Sequence, residues 1–238
     1  MAAFRRLVYA ALCAGLLSGI LAAAAHQFGT VPLILAAETY EAAAQHAAAQ
    51  AQIHGNTAAA VHDSTEADWA PENGIERAAY TLVADLLVAI GFALLLAAGF
   101  TLRGGAVGWR DGLFWGLAGF AAFTLAPGLG LPPEIPGTDA APLVARQLWW
   151  VATAISTGGA LALFAFTTRP LYAILAAILI VLPHLYGAPQ PGEPAVAAAP
   201  EALAHHFAVA ATLVSFLFWA ALGASTGYFY RRFEPHPL

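Results

Sequence analysis

Histidine and carboxylate are the side chains of this sequence that could meet a metal ion. Of the eight histidines, His26, His46, His54, His62, His184, His205 and His206 fall on one side of the apolar stretches described below, and only His236 on the other. Neutral imidazole binds borderline divalent ions such as Co²⁺, Ni²⁺ and Zn²⁺, and carboxylates complete such sites. Four histidines stand where apolar stretches end or begin: His26, His184 and the adjacent His205 and His206. If those ends surround one vestibule, the imidazoles converge; if they do not, they are interfacial hydrogen-bonding groups. No H-E-x-x-H spacing is present, and neighbours such as His205 and His206 point about 100° apart on a helix.

The carboxylates add two further candidates. Asp85 lies about six residues into an apolar stretch that starts at Ala79, or ~9 Å along a helix axis. An ionisable group at that depth marks an ion or proton path, unless it is an interfacial aspartate bonded to Tyr80 or Thr81. Thr153, Ser156 and Thr157 could line the same path or bond back to their own helix. Glu134 belongs to A-P-G-L-G-L-P-P-E-I-P-G at 126–137, where prolines remove amide donors and glycines favour open conformations. Broken backbone is tolerated in a membrane where it is buried in protein or lines a watery cavity, and its carbonyls and Glu134 could there meet a cation. A rigid exit turn at the surface explains the same residues. Glu38, Glu41, His46, His54 and His62 form a candidate capture set in the segment between the first two apolar stretches.

The elements that must position these groups follow from hydropathy. Hydrophobic residues make up 60% of the 238, charged residues only 10%, and mean hydropathy is +0.70; a soluble domain carries ~25% charged residues. Apolar stretches run over 7–25, 79–102, 112–131, 148–167, 171–187 and 206–230, most of them close to the ~20 residues that cross a bilayer as helix. Arg169-Pro170 separates the fourth from the fifth. These patterns predict an all-α integral membrane bundle, a single domain of six spans with five as the alternative count. The large outer loop at 26–78 should be helical from Pro32 to Gln52 and stop near Gly55, with a solvated connection after it. A second outer connection, 189–200, is rich in Pro and Ala and predicted to be extended.

All nine basic residues are arginine, and they orient the bundle. Arg5, Arg6, Arg103, Arg110, Arg169, Arg231 and Arg232 share one side if both termini are cytoplasmic, as the positive-inside rule requires, whereas Arg77 and Arg146 lie opposite. The net charge of −5 comes largely from acids in the outer loops and implies no nucleic-acid partner. Residues 5–25 imitate a cleaved signal peptide, although the long apolar core favours a retained span. Cys13 is the lone cysteine and reads as a small buried residue. Gly15-x-x-x-Gly19, Gly112-x-x-x-Gly116 and Gly223-x-x-x-Gly227 offer seams for close helix packing, a more ordinary use than a dimer interface. Trp149 and Trp150 beside Arg146, and Trp109 at the other surface, read as interfacial anchors.

Absences narrow the chemistry. Without lysine there is no Walker A lysine and no Schiff-base lysine, so nucleotide hydrolysis is not expected and energy must come from a gradient or a partner. There is no G-x-S-x-G elbow, paired-cysteine motif or dinucleotide fingerprint placed between strand and helix, and the chain does not read as an enzyme. No permanently bound cofactor is expected.

Four segments carry a family resemblance: F-R-R-L-V-Y-A-A-L at 4–12, V-P-L-I-L-A-A-E-T-Y-E at 31–41, F-W-G-L-A-G-F at 114–120 with the proline-glycine block that follows, and A-R-Q-L-W-W at 145–150. Through them the chain resembles the CbtA family of predicted cobalt transporter subunits, found in bacterial membranes. The resemblance implies a small integral component linked to cobalamin-related regulation, with a companion small membrane subunit bearing a histidine motif. It also implies five spans, one fewer than counted above. The expected function is uptake of Co²⁺ across the bacterial inner membrane, with outer histidines and Glu134 capturing the ion and Asp85 admitting it to the bundle. The alternative is a non-transporting scaffold, metal sensor or assembly factor for a separate permease. Imidazole and carboxylate bind Co²⁺, Ni²⁺ and Zn²⁺ alike, so residue types alone do not choose among them.

Overall fold

A computed structural model describes residues 2–54, 71–192 and 198–234. The elements are α1 (Ala2–Gly29), α2 (Val31–His54), α3 (Ile75–Arg103), α4 (Trp109–Phe120), a π turn (Ala121–Leu125), a single turn α5 (Ala126–Gly128), α6 (Leu143–Phe166), α7 (Pro170–Tyr186) and α8 (Glu201–Arg232). The protein is an all-α membrane bundle. Four helices are long and apolar enough to cross a bilayer: α1, α3, α6 and α8. The shorter α7 is apolar throughout its 17 residues. From α4 through the π turn to α5 the path is helical over residues 109–128, ~30 Å at 1.5 Å per residue. Local signals set the breaks. Gly104 leaves α3 at φ +71°, and Pro170 opens α7 at a position where its missing amide is not needed.

The core is a set of helices brought close by small residues. α1 packs along α3 and α8, and α4 along α8. Gly112 and Gly116 face Gly223 and Gly227 so tightly that a Cβ on Gly223 would lie 2.6 Å from the Gly116 Cα, and one on Gly227 would lie 2.9 Å from the Gly112 Cα. Gly15 and Gly19 meet α3 in the same way at Ile90 and Leu86. All three glycine seams therefore serve contacts within the chain. Gly223→Val should lower the unfolding free energy in detergent by about 2 kcal/mol or more, because the obstruction is backbone and cannot rotate away. Gly159→Ala, whose added Cβ meets nothing within 4 Å, should leave stability unchanged or slightly raised. Thermal unfolding in detergent compares the two.

α6 packs chiefly on α7, and this pair approaches the rest of the bundle around the π turn and α5. Trp149 corrects the sequence expectation. It is not an interfacial anchor but a wedge, 6% exposed, whose indole Nε1 donates to the Pro183 carbonyl (3.2 Å) and whose ring covers Gly130. At this end of the bundle α2, the 129–142 connection and the start of α8 form a second small core of Ala37, Ile135, Ala199 and Phe207. Helix α2 is thus packed down. At the opposite end Arg6 meets Glu234 at 3.4 Å, which holds the two chain ends together.

Candidate functional site

The last turn of α1 and the first half of α3 bring His26 and Asp85 face to face. His26 Nε2 lies 3.8 Å from Asp85 Oδ1, and the aspartate is only 19% exposed. Its other oxygen, Oδ2, is buried without a hydrogen-bond partner. Of the two neighbours expected to bond it, Thr81 donates instead to the Arg77 carbonyl (2.9 Å). The imidazole is oriented by Thr30, one helical turn along the chain. The Thr30 hydroxyl oxygen lies 2.9 Å from Nδ1 and also reaches the His26 carbonyl (3.3 Å), which holds the ring in place. Nε2, the ring nitrogen that Thr30 does not engage, is the one that faces the carboxylate.

An imidazole and a carboxylate this close can share a proton or hold a cation between them. With bonds of ~2.1 Å to a zinc-sized ion, neighbouring ligands sit ~3.0 Å apart at an octahedral angle and ~3.4 Å at a tetrahedral one. The observed 3.8 Å is too long for a hydrogen bond and closes to either value by a small side-chain rotation. The pair borders a chamber of about 230 Å³ whose other walls include Phe92, Phe123, Trp150, Phe218 and Trp219, with hydroxyls from Thr124 and Ser215. Such apolar walls lower the local dielectric and raise the electrostatic demand of the carboxylate for a positive partner.

A larger vestibule of about 670 Å³ adjoins this chamber, sharing Phe123, Thr124 and Trp150 with it. Residues of the proline-glycine block, from Pro127 to Glu134, form one wall. Glu134 pairs there with Arg146 at 2.7 Å. Glu38 is likewise held by Arg77, at 2.8 and 3.3 Å in a two-pronged contact. Both arginines that break the positive-inside pattern are thus neutralised by a carboxylate, and neither carboxylate is free to give all its charge to a metal while that pair holds.

The remaining candidates are dispersed. His184 lies against Trp149, ring centroids 5.8 Å apart, with Nε2 buried and unpartnered. His205 and His206 are exposed on the first turns of α8, with centroids 6.4 Å apart. Glu41 accepts from Gln45 (3.4 Å) and packs beside Gly137, whereas His46 is exposed on α2. The side chain of His54 and all of His62 lie outside the described residues. Among the described residues no three His, Cys, Asp or Glu side chains gather as a metal site. Thr153 and Ser156 bond back to carbonyls of α6, at 2.8 and 3.1 Å. Sequence reasoning missed Thr30 and Thr124; the i, i+4 spacing of His26 and Thr30 was the available signal.

A family model described as probable cobalt transporter subunit (CbtA) matches residues 4–231. No curated protein and no solved structure matches the chain.

Proposed function

Because the chain belongs to the family of probable cobalt transporter subunits, CbtA, we propose that it is the membrane-embedded part of a cobalt uptake system in which His26 and Asp85 hold the ion in transit. The observation that carries this reading is the largely buried Asp85 side chain, with Oδ2 unpartnered and Oδ1 3.8 Å from His26 Nε2. Two protein ligands suit a cargo better than a resident metal. A partly hydrated Co²⁺ keeps water on its remaining positions and can leave, whereas a closed four-ligand site retains its ion.

In this reading the bundle spans the bacterial inner membrane six times, through α1, α3, the α4–α5 path, α6, α7 and α8, with both termini cytoplasmic. The pairing of Arg6 with Glu234 supports placing the ends together, and the arginine distribution supports which side they take. The vestibule then opens outward. Glu134, released from Arg146, and the exposed His205 and His206 meet the ion first, and His26 and Asp85 receive it. Membership of a multi-component system implies a partner, and the companion small membrane protein with a histidine motif fits that place.

The decisive experiment is uptake of radioactive cobalt into vesicles containing this protein alone or with its companion, under an imposed gradient. Accumulation above empty vesicles in either preparation is expected. If neither accumulates metal, the transport reading fails and a scaffold, sensor or assembly role takes its place. Titration with competing Ni²⁺ and Zn²⁺ in the same vesicles measures selectivity. Thr30→Val removes the hydroxyl that orients the His26 ring while keeping the side chain's shape, and should weaken Co²⁺ affinity by about tenfold, the scale of an outer hydrogen bond to a ligand. Equilibrium Co²⁺ binding to the purified protein checks it.

A further inference from the structure

One side chain, Phe123, borders every one of three adjoining cavities. The outer vestibule meets the His26–Asp85 chamber across Phe123, Thr124 and Trp150, and that chamber meets a third cavity across Phe92, Phe123 and Trp219. The third cavity, about 500 Å³, lies between α3, α4 and α6 and is bordered by Arg103 and Asp111. Its position follows from α3: Phe92 lies seven residues beyond Asp85, ~10 Å further toward the Arg103 end.

The partition beneath Asp85 is wholly aromatic. Phe123 stacks on Trp219 at 5.6 Å and 10°, Phe92 tilts against both rings at 5.2 and 4.7 Å, and Trp150 stands 6.0 Å from Phe123 on the other side. A constriction of this kind sheds water and blocks ions without closing the backbone. Phe123 is also the middle residue of the π turn, where the helix runs in i→i+5 register, as the bond from the Ala126 amide to the Ala121 carbonyl shows. Pro127 follows two residues later and supplies no amide to the turn before it. The least regular turn of the α4–α5 path therefore carries the ring common to all three cavities, and π turns inside α-helices occur frequently at functional sites.

We propose that Phe123 is the barrier residue of the transport path, separating the His26–Asp85 chamber from the inner cavity until the π turn moves it. This rests on the transport reading for its purpose, but its test needs no metal. In a Cys13→Ala background, Ser215→Cys reports on the chamber and Ala118→Cys on the inner cavity. A membrane-impermeant cationic thiosulfonate is added to the outer face of spheroplasts. With Phe123 intact, the Ala118→Cys reporter should react at least about tenfold more slowly than the Ser215→Cys reporter; adding Phe123→Ala should raise the Ala118→Cys rate by about tenfold and leave the Ser215→Cys rate within about twofold. Phe123→Leu, a milder change that keeps the helix, should give an intermediate rate. Equal reactivity of the two reporters with Phe123 intact overturns the proposal, as does an Ala118→Cys rate unmoved by both Phe123 variants. A raised labelling rate in a protein that never accumulates cobalt would leave the barrier standing and remove only the cargo.

Discussion

Asp85→Asn should cut the initial rate of cobalt uptake by at least about tenfold while leaving the protein no less stable in detergent. Asparagine nearly reproduces the shape of aspartate and removes its charge. That charge is poorly compensated: one oxygen is buried and unpartnered, and the nearest cationic candidate, His26, stands 3.8 Å from the other. Removing a poorly compensated, largely buried charge relieves a desolvation cost, so the unfolding midpoint should hold or rise. In the proposed path the same charge draws the divalent ion into the apolar chamber, so its removal should lower uptake. The opposite signs separate a transport role from a structural one. A variant that loses uptake and stability together would mark Asp85 as a packing residue, and unchanged uptake would remove it from the path. His26→Gln should reduce uptake less, because the carboxylate remains to attract the ion.

Much of the frame was legible because membrane insertion leaves a strong record in composition. The apolar stretches, the proline at 170 and the helical segment from Pro32 correspond to helices of the structure, and the glycine seams pack where small residues permit backbone contact. Asp85 stood out because a carboxylate within an apolar run has few ordinary reasons to be there. What the residues did not disclose was rotation. Whether His26, His184, His205 and His206 share a vestibule depends on which way each helix turns about its axis, and that is set by packing far from the histidines. The structure turns His26 toward Asp85, presses His184 against Trp149 and leaves the other two exposed. Glu38 and Glu134 looked available because their arginine partners are 39 and 12 residues away in sequence. Trp149 misled for a similar reason, since an indole beside an arginine at a helix start reads as a surface anchor until a glycine opposite it opens a slot. The π turn left no pattern, because A-A-F-T-L is compatible with an unbroken α-helix.

The arginines offer the second large effect, and it separates charge as an orientation signal from charge as a clamp. Arg5 and Arg6 contribute equally to the positive-inside count, yet the structure uses them differently. Arg6 is 13% exposed at its side chain, donates from Nε to the Tyr230 carbonyl at 2.6 Å, approaches Glu234 at 3.4 Å and stands 3.8 Å over the Tyr230 ring. The carbonyl it meets belongs to the last turn of α8, where helical partners run out and the helix end favours a cation. Tyr230 in turn pairs its hydroxyl with Thr101 of α3 at 3.0 Å, so one guanidinium ties α1 to α8 and, through it, to α3. Arg6→Ala should therefore lower the unfolding free energy by about 3 kcal/mol, the scale of losing a charge-assisted hydrogen bond together with a cation–π contact. Arg6→Lys should recover only part of that, because an ammonium cannot address the carbonyl, the ring and the carboxylate from one plane. Arg5→Ala, which removes the same charge from an exposed side chain 5.9 Å from Tyr9, should cost less than about 0.5 kcal/mol. Equilibrium unfolding of the three variants in detergent decides the matter. Equal losses for Arg5→Ala and Arg6→Ala would mean that net charge alone matters at this end of the bundle, and that the Arg6 contacts contribute nothing to holding the chain ends together.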